Sequence, residues 1–132
     1  MSMSIGQMVL PPQIGEVIME VVKFADAPFY TAPDHDDVIA RRLQGGEASS
    51  ADFVLVGHST FPPGGGVPMD AAPIGKIYIV LDGVISFDQK DGTRHVLSRG
   101  DSIHVLPGEA RAVVNDTTEP AAMIVIVPAP KK

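Results

Sequence analysis

The sequence predicts an all-β fold, a sandwich or barrel, on three observations. Glycine (13) and proline (12) are frequent and fall between short apolar runs, the punctuation of a chain with many turns. No stretch carries the roughly 3.6-residue apolar period of an amphipathic helix, whereas short β-branched runs recur at close spacing. Asp82-Gly83, set between two such runs, is the strongest short hairpin signal in the chain.

Taken in order, residues 16–24 (EVIMEVVKF) read as a first strand. Residues 25–50 change character: they hold Pro28, Pro33, the acidic run 34–37, Gly45-Gly46 and Ser49-Ser50. They read as an irregular arm with a short strand or turn near residues 38–43. Residues 52–61 alternate well enough for a strand and stop at the PPGGG of residues 62–66. Residues 76–81 (KIYIVL) form the next strand and residues 84–88 return after the hairpin. A turn at residues 90–92 and strands at 94–97, 102–106, 111–115 and 122–127 complete the series. Residues 76–81 and 121–127 are apolar at consecutive rather than alternate positions, so both faces need cover. A second copy of the chain is the expected cover, giving a homodimer, with the N-terminal segment as the intramolecular alternative.

The totals bound what such a chain can be. At 132 residues it is one domain, divided into an N-terminal strand and arm (1–50) and a barrel (51–128). The net charge of −6 and the lack of a basic run argue against nucleic acid as a partner. The absence of cysteine removes disulfides, thiolate metal sites and a Cys nucleophile. The first ten residues carry no Lys or Arg and do not read as a signal peptide, and the longest apolar run is seven residues (121–127). A cytoplasmic protein without a membrane partner is the expectation.

Two stretches resemble the motifs of the cupin family, G-x5-H-x-H-x3,4-E-x6-G and G-x5-P-x-G-x2-H-x3-N. Residues 64–83 (GGGVPMDAAPIGKIYIVLDG) are similar to the first, and residues 100–115 (GDSIHVLPGEARAVVN) to the second. Gly100, Gly108 and Asn115 stand on fixed positions of the second motif, while Leu106 replaces its proline, with Pro107 one place later. The resemblance implies a cupin-type double-stranded β-helix, a jelly-roll barrel. It also implies that the family's metal ligands have been replaced. The motif glutamate falls on Lys76, the two motif-one histidines on Asp70 and Ala72, and the motif-two histidine on Arg111. An ammonium and a guanidinium repel a dication and offer it no lone pair, so no metal and no other cofactor is expected.

If the backbone follows the family, Lys76 and Arg111 point inward on neighbouring strands with Asp70 nearby. Three readings follow. The first is an anion pocket for a small-molecule acid, with Arg111 supplying a planar fork, Lys76 a point charge, and Asp70 orienting one of them. Its expected walls are Tyr78, Val80, Phe87, Val113 and Met123 or Ile124. The second adds lyase, isomerase or decarboxylase chemistry to that pocket, with Lys76 and Asp70 as the catalytic groups and Lys76 the better acid–base or Schiff-base candidate. His58, Tyr78 and His104 are further ligand-binding candidates if they face inward. The third is a non-catalytic scaffold in which Asp70, Lys76 and Arg111 salt-bridge and plug the pocket. His35 and His95 are read as surface groups, and the acidic run at residues 34–37 as a solvated loop.

Overall fold

The computed structural model describes residues 19–31, 35 and 37–130, and among these described residues there are ten β-strands and no α-helix. The strands are β1 (Phe29–Tyr30), β2 (Ile39–Gln44), β3 (Val54–Phe61), β4 (Gly66–Ala71) and β5 (Lys76–Asp82). They continue as β6 (Val84–Gln89), β7 (Arg94–Ser98), β8 (Ser102–Val105), β9 (Ala110–Val114) and β10 (Ala121–Pro128). A six-stranded sheet runs β1-β2-β3-β10-β5-β8 and a four-stranded sheet runs β4-β9-β6-β7. Every pairing is antiparallel. The two sheets face one another as a jelly-roll barrel, the all-β fold the sequence predicts.

Between the sheets lies one apolar core containing Phe61, Val80, Ile85, Phe87, Val113 and Met123, each at most 2% exposed. Strand alternation decides which residues enter it. On β3, Gly57, Ser59 and Phe61 are buried. Their partners Val125, Met123 and Ala121 on β10 share that face, as do Tyr78 and Val80 on β5. The hairpin between β5 and β6 turns at Gly83, whose φ of +72° suits glycine. A Cβ there would stand 2.6 Å from the carbonyl oxygen of Pro120, so space as well as backbone conformation requires glycine. Asn115 is fully buried just after β9. Its Nδ2 donates to the carbonyls of Phe61 (3.0 Å) and Glu119 (2.7 Å), and its Oδ1 accepts from the Thr117 N–H (3.0 Å) and hydroxyl (2.7 Å). One side chain thus fastens the β9–β10 loop to the end of β3.

Two sequence expectations need correction. Residues 16–18 of the expected first strand lie outside the described residues, and residues 19–24 form no strand. The edge of β2 is taken by the short β1, so the preceding stretch has no ladder to join. Polar side chains hold it instead: Arg41 donates to the carbonyls of Phe24 (2.8 Å), Ala25 (3.3 Å) and Ala27 (3.3 Å), and Glu20 accepts from the Ser50 N–H (3.0 Å). Between residues 62 and 76, where the sequence pattern marks no strand, β4 forms as the edge of the smaller sheet. Its exposed Pro68, Met69 and Asp70 and its bulge against β9 broke the alternation that would have marked it.

Candidate functional site

The site forms where β9 of one sheet faces β5 of the other. Arg111 is 9% exposed and reaches across the barrel to β5. Its Nε and Nη2 donate to the Tyr78 hydroxyl at 3.3 and 3.1 Å, and its Nη1 to the backbone carbonyl of Asp70 at 3.5 Å. Tyr78 is 3% exposed and packs on Phe87, ring centroids 5.0 Å apart. The Cα register places Asp70 directly opposite Arg111, and Lys76 opposite Val105 of β8. Asp70, Lys76 and Arg111 border the same small cleft at the barrel mouth, as the sequence alignment of motifs implied. Asp70 lies exposed at the rim and Lys76 is half-buried beneath it. Burial, and then the neighbouring Arg111 guanidinium, hold the Lys76 ammonium below the usual lysine value, while Asp70 pulls it back up.

Among the described residues, the ion pairs within 4.0 Å join Arg42 to Glu47 and Arg94 to Asp88 and Asp116. None involves Asp70, Lys76 or Arg111, so the three converge without forming a salt-bridge plug. Inward from them opens a cavity of about 180 Å³ lined by Lys76, Tyr78, Arg111, Val67, Val113 and Met123 on one side. Tyr30, Arg42 and Ser59 line it from β1, β2 and β3. Of the expected walls, Tyr78, Val113 and Met123 are there; Val80 is packed in the core, and alternation turns Ile124 outward. A second cavity of about 300 Å³ opens between the free edges of β7 and β8, with Phe87, Leu97 and Ile103 as its floor and Gln89, His95 and Glu109 at its polar rim. Arg111 borders both cavities and stands between them.

The histidines sort by alternation. His58 sits between the inward Gly57 and Ser59, so it faces outward, where Phe24 packs on its ring at 4.8 Å. Burial there lowers its pKa below the usual histidine value. His104, between Ile103 and the buried Val105, is exposed and reaches only the rim of the lateral cavity. Neither joins Arg111 at the inner cavity. His95, read as a surface group, instead shares the inward face with Phe87, its register partner, and its Nε2 lies 2.6 Å from Gln89 Oε1. His35 borders the inner cavity rather than standing in solvent.

Sequence reasoning missed Tyr30, Arg42 and Ser59. The first two fell in the stretch read as an irregular arm. Ser59 was legible: stepping back by twos from Phe61 places Ser59 and Gly57 inside and His58 outside. A Cβ at Gly57 would lie 2.5 Å from the Tyr30 hydroxyl, so this glycine makes room for the phenol over the cavity. As for the metal the fold family implies, the donor set does not fit one. Arg111 and Lys76 stand at two of the four ligand positions and Ala72 at a third, leaving one carboxylate, Asp70. Among the described residues no group of three or more His, Cys, Asp or Glu is placed to hold a metal ion. No described helix is long and apolar enough to cross a membrane.

A barrel with this topology and these motif positions defines the class of protein. The cupin-domain family model matches residues 57–127, and the chain belongs to the cupin family. A relative from Mycobacterium tuberculosis named as a β-D-galactosidase is 37% identical over 112 residues, covering 85% of this chain and 96% of that protein. Among solved structures, the polyketide cyclase RemF of Streptomyces resistomycificus superposes with a TM-score of 0.77 at 20% identity, covering 86% of this chain and 81% of that one. A predicted oxalate decarboxylase of Thermotoga maritima gives a TM-score of 0.69 at 19% identity, covering 83% of this chain and 99% of that one. At these identities the two structural likenesses are of fold alone.

Proposed function

We propose that this cupin binds a small organic acid in its inner cavity, with Arg111 and Lys76 receiving the carboxylate and no metal taking part. One observation carries the reading: two cations face one cavity with no carboxylate within 4.0 Å among the described residues. Burying unneutralised charge costs stability, and an anionic ligand supplies the missing neutralisation. Arg111 commits three N–H groups, two to Tyr78 and one to Asp70. That leaves two of its roughly five donors for a ligand. Lys76, its pKa lowered by burial and by Arg111, is the group suited to move a proton in a lyase, isomerase or decarboxylase step; Asp70 at the rim is the second catalytic candidate. The open cavity and the lack, among the described residues, of an ion pair within 4.0 Å at Asp70, Lys76 or Arg111 speak against a plugged scaffold.

The test is a thermal-shift screen of chelator-treated protein against divalent metals and small carboxylic acids. Stabilisation by an acid at about a hundred times its Kd amounts to roughly 2.7 kcal/mol and should disappear in Arg111→Met. Stabilisation by metals alone, or acid binding indifferent to Arg111→Met, overturns the reading.

A second reading is favoured by the 37% identical relative named as a β-D-galactosidase. Glycoside hydrolysis needs two carboxyl groups flanking the bond, and Asp70 and Glu109 border the same cleft. Hydrolysis of a chromogenic β-galactoside that fails in both Asp70→Asn and Glu109→Gln supports it; no turnover by the parent chain removes it.

We also propose a cytoplasmic homodimer. Its support is the outer face of β5 and β10, where Ile77 (42%) and Leu81 (41%) are exposed beside Ile79, Ile124 and Ile126. Light scattering should give twice the chain mass for the parent and the chain mass for Ile77→Lys. A monomeric parent refutes the dimer.

A further inference from the structure

Resting on the acid-pocket reading, we propose that the inner cavity selects a hydroxylated carboxylic acid of about sugar-acid size over a plain one. Arg111 and Lys76 hold its carboxylate, and Tyr30 and Ser59 hold its hydroxyls. The two ends of the cavity differ in charge, and that difference carries the inference. Both ends hold cations, yet the far one is already spent. Arg42 donates through Nε to Glu47 at 2.9 Å, and its guanidinium stacks on the Tyr30 ring at 3.9 Å. Besides His35, which also borders the cavity, what the sheet offers a ligand there is neutral: the Tyr30 phenol and the Ser59 hydroxyl, the latter 3% exposed and hydrogen-bonded to Tyr30. Burial raises the Tyr30 pKa, so the phenol keeps its proton and can both donate and accept.

Register supplies the spacing. Arg42, Gly57, Val125 and Tyr78 lie in one row across β2, β3, β10 and β5. The Tyr30 hydroxyl hangs over Gly57, two strands from Tyr78. At about 4.8 Å per strand the two polar ends are separated by roughly 10 Å of sheet, less the reach of the side chains. Val125 lies between them as an apolar floor. A cavity of about 180 Å³ holds about six waters at ~30 Å³ each, a volume suited to an acid of about four to six carbons. The two hydroxyls are hydrogen-bonded to one another, which leaves the pair one free proton and unused lone pairs; a plain aliphatic chain satisfies neither, and keeping them desolvated is unfavourable. A hydroxylated acid satisfies both ends.

The experiment is calorimetric titration of the full chain with D-galacturonate, hexanoate and D-galactose, using the parent, Tyr30→Phe, Ser59→Ala and Arg111→Met. Galacturonate should bind more tightly than hexanoate. Tyr30→Phe and Ser59→Ala should each weaken galacturonate by about three- to tenfold and leave hexanoate unchanged, the loss expected of one hydrogen bond. Arg111→Met should abolish both acids. If hexanoate binds as tightly as galacturonate, or both hydroxyl variants are neutral, this inference falls while the acid pocket stands. If neither acid binds, or galactose matches galacturonate and ignores Arg111→Met, the acid-pocket reading falls and takes the inference with it. Circular dichroism of each variant separates lost binding from lost fold, and Ser59→Ala repeats the test should Tyr30→Phe unfold.

Discussion

Replacing Arg111 by methionine should make the protein more stable and unable to bind an acid. Methionine keeps an unbranched chain of similar reach and removes the charge. On one side of the account, the two hydrogen bonds to Tyr78, at 3.1 and 3.3 Å, lie at the long end of the N–H···O range. The 3.5 Å contact to the Asp70 carbonyl is weaker still. Their loss is worth about 1–2 kcal/mol, because the Tyr78 hydroxyl can turn to water in the cavity. On the other side, Arg111 is 9% exposed with no carboxylate within 4.0 Å among the described residues. A buried ion without a partner costs several kcal/mol, a figure reduced here because both cavities admit water beside the guanidinium. The balance favours Arg111→Met by about 1–2 kcal/mol, a rise in Tm of about 3–8 °C. Carboxylate affinity should fall by about 10²–10³, the loss of a charge-assisted two-point contact. Urea and thermal unfolding together with calorimetry read both quantities. A variant that unfolds more easily by over about 1 kcal/mol would show that the Arg111–Tyr78 tie exists to hold the sheets together, and the argument for a charge kept at a cost for binding would fail.

Acid binding should also depend on pH through Lys76. Its free value lies below that of an ordinary lysine, and a bound anion raises it, so binding takes up a proton and weakens as pH rises through the free value. Titrations from pH 6 upward should show this in the parent, at a slope of no more than about tenfold per pH unit, and a flat profile in Lys76→Met; a sloping profile in the variant would assign the proton elsewhere. Asn115→Ala should cost about 2–4 kcal/mol, since it strips partners from the carbonyl of the fully buried Phe61 and from the Thr117 N–H; a lowered urea midpoint at unchanged slope is the expected readout. His58 titrates below its ordinary value of 6.5 in the fold because Phe24 and the sheet bury it. As pH falls below about 6.5 the unfolded chain takes up the proton first, so stability declines until the folded value is passed and then levels. His58→Gln should remove that part of the acid limb, and an unchanged limb would place the sensitivity in another group.

Most of the barrel was legible because its signals are local. Asp82-Gly83 names its own turn, β3 shows its alternation, and the apolar runs at β5 and β10 are long enough to read as strands. The N-terminal stretch misled because EVIMEVVKF has the composition of a strand. Composition does not supply a neighbour, and the edge of β2 is already occupied by β1. Strand β4 was hidden for the opposite reason. As an edge strand with a bulge it buries only its first two residues, Gly66 and Val67, so it lacks the alternation that would announce it. At the site, Asp70, Lys76 and Arg111 were found through the resemblance of residues 64–83 and 100–115 to the cupin motifs, and the pairing of β4 with β9 sets Asp70 opposite Arg111. The far wall was not found, since Tyr30 and Arg42 reach the cavity by a pairing of β1 with β2 and β2 with β3 that no local pattern encodes.

The replaced ligand positions carry a last consequence. A metal in a barrel of this kind supplies two things, positive charge and Lewis acidity, and the substitutions separate them. Arg111 and Lys76 restore positive charge at the same place, fixed by the backbone rather than by a bound ion. They cannot accept a lone pair, and so cannot polarise a water toward hydroxide at neutral pH. A site of this composition is therefore equipped to hold an anion, or to stabilise one that forms on a bound acid, and poorly equipped to generate a hydrolytic nucleophile by itself. Should the chain hydrolyse a glycoside, the water would have to be activated by Asp70 or Glu109. The Asp70→Asn and Glu109→Gln variants then decide between binding and hydrolysis more sharply than any change at Arg111. Loss of carboxylates that spares acid binding and ends turnover separates the two activities; loss that touches neither leaves the cations as the working part of the site.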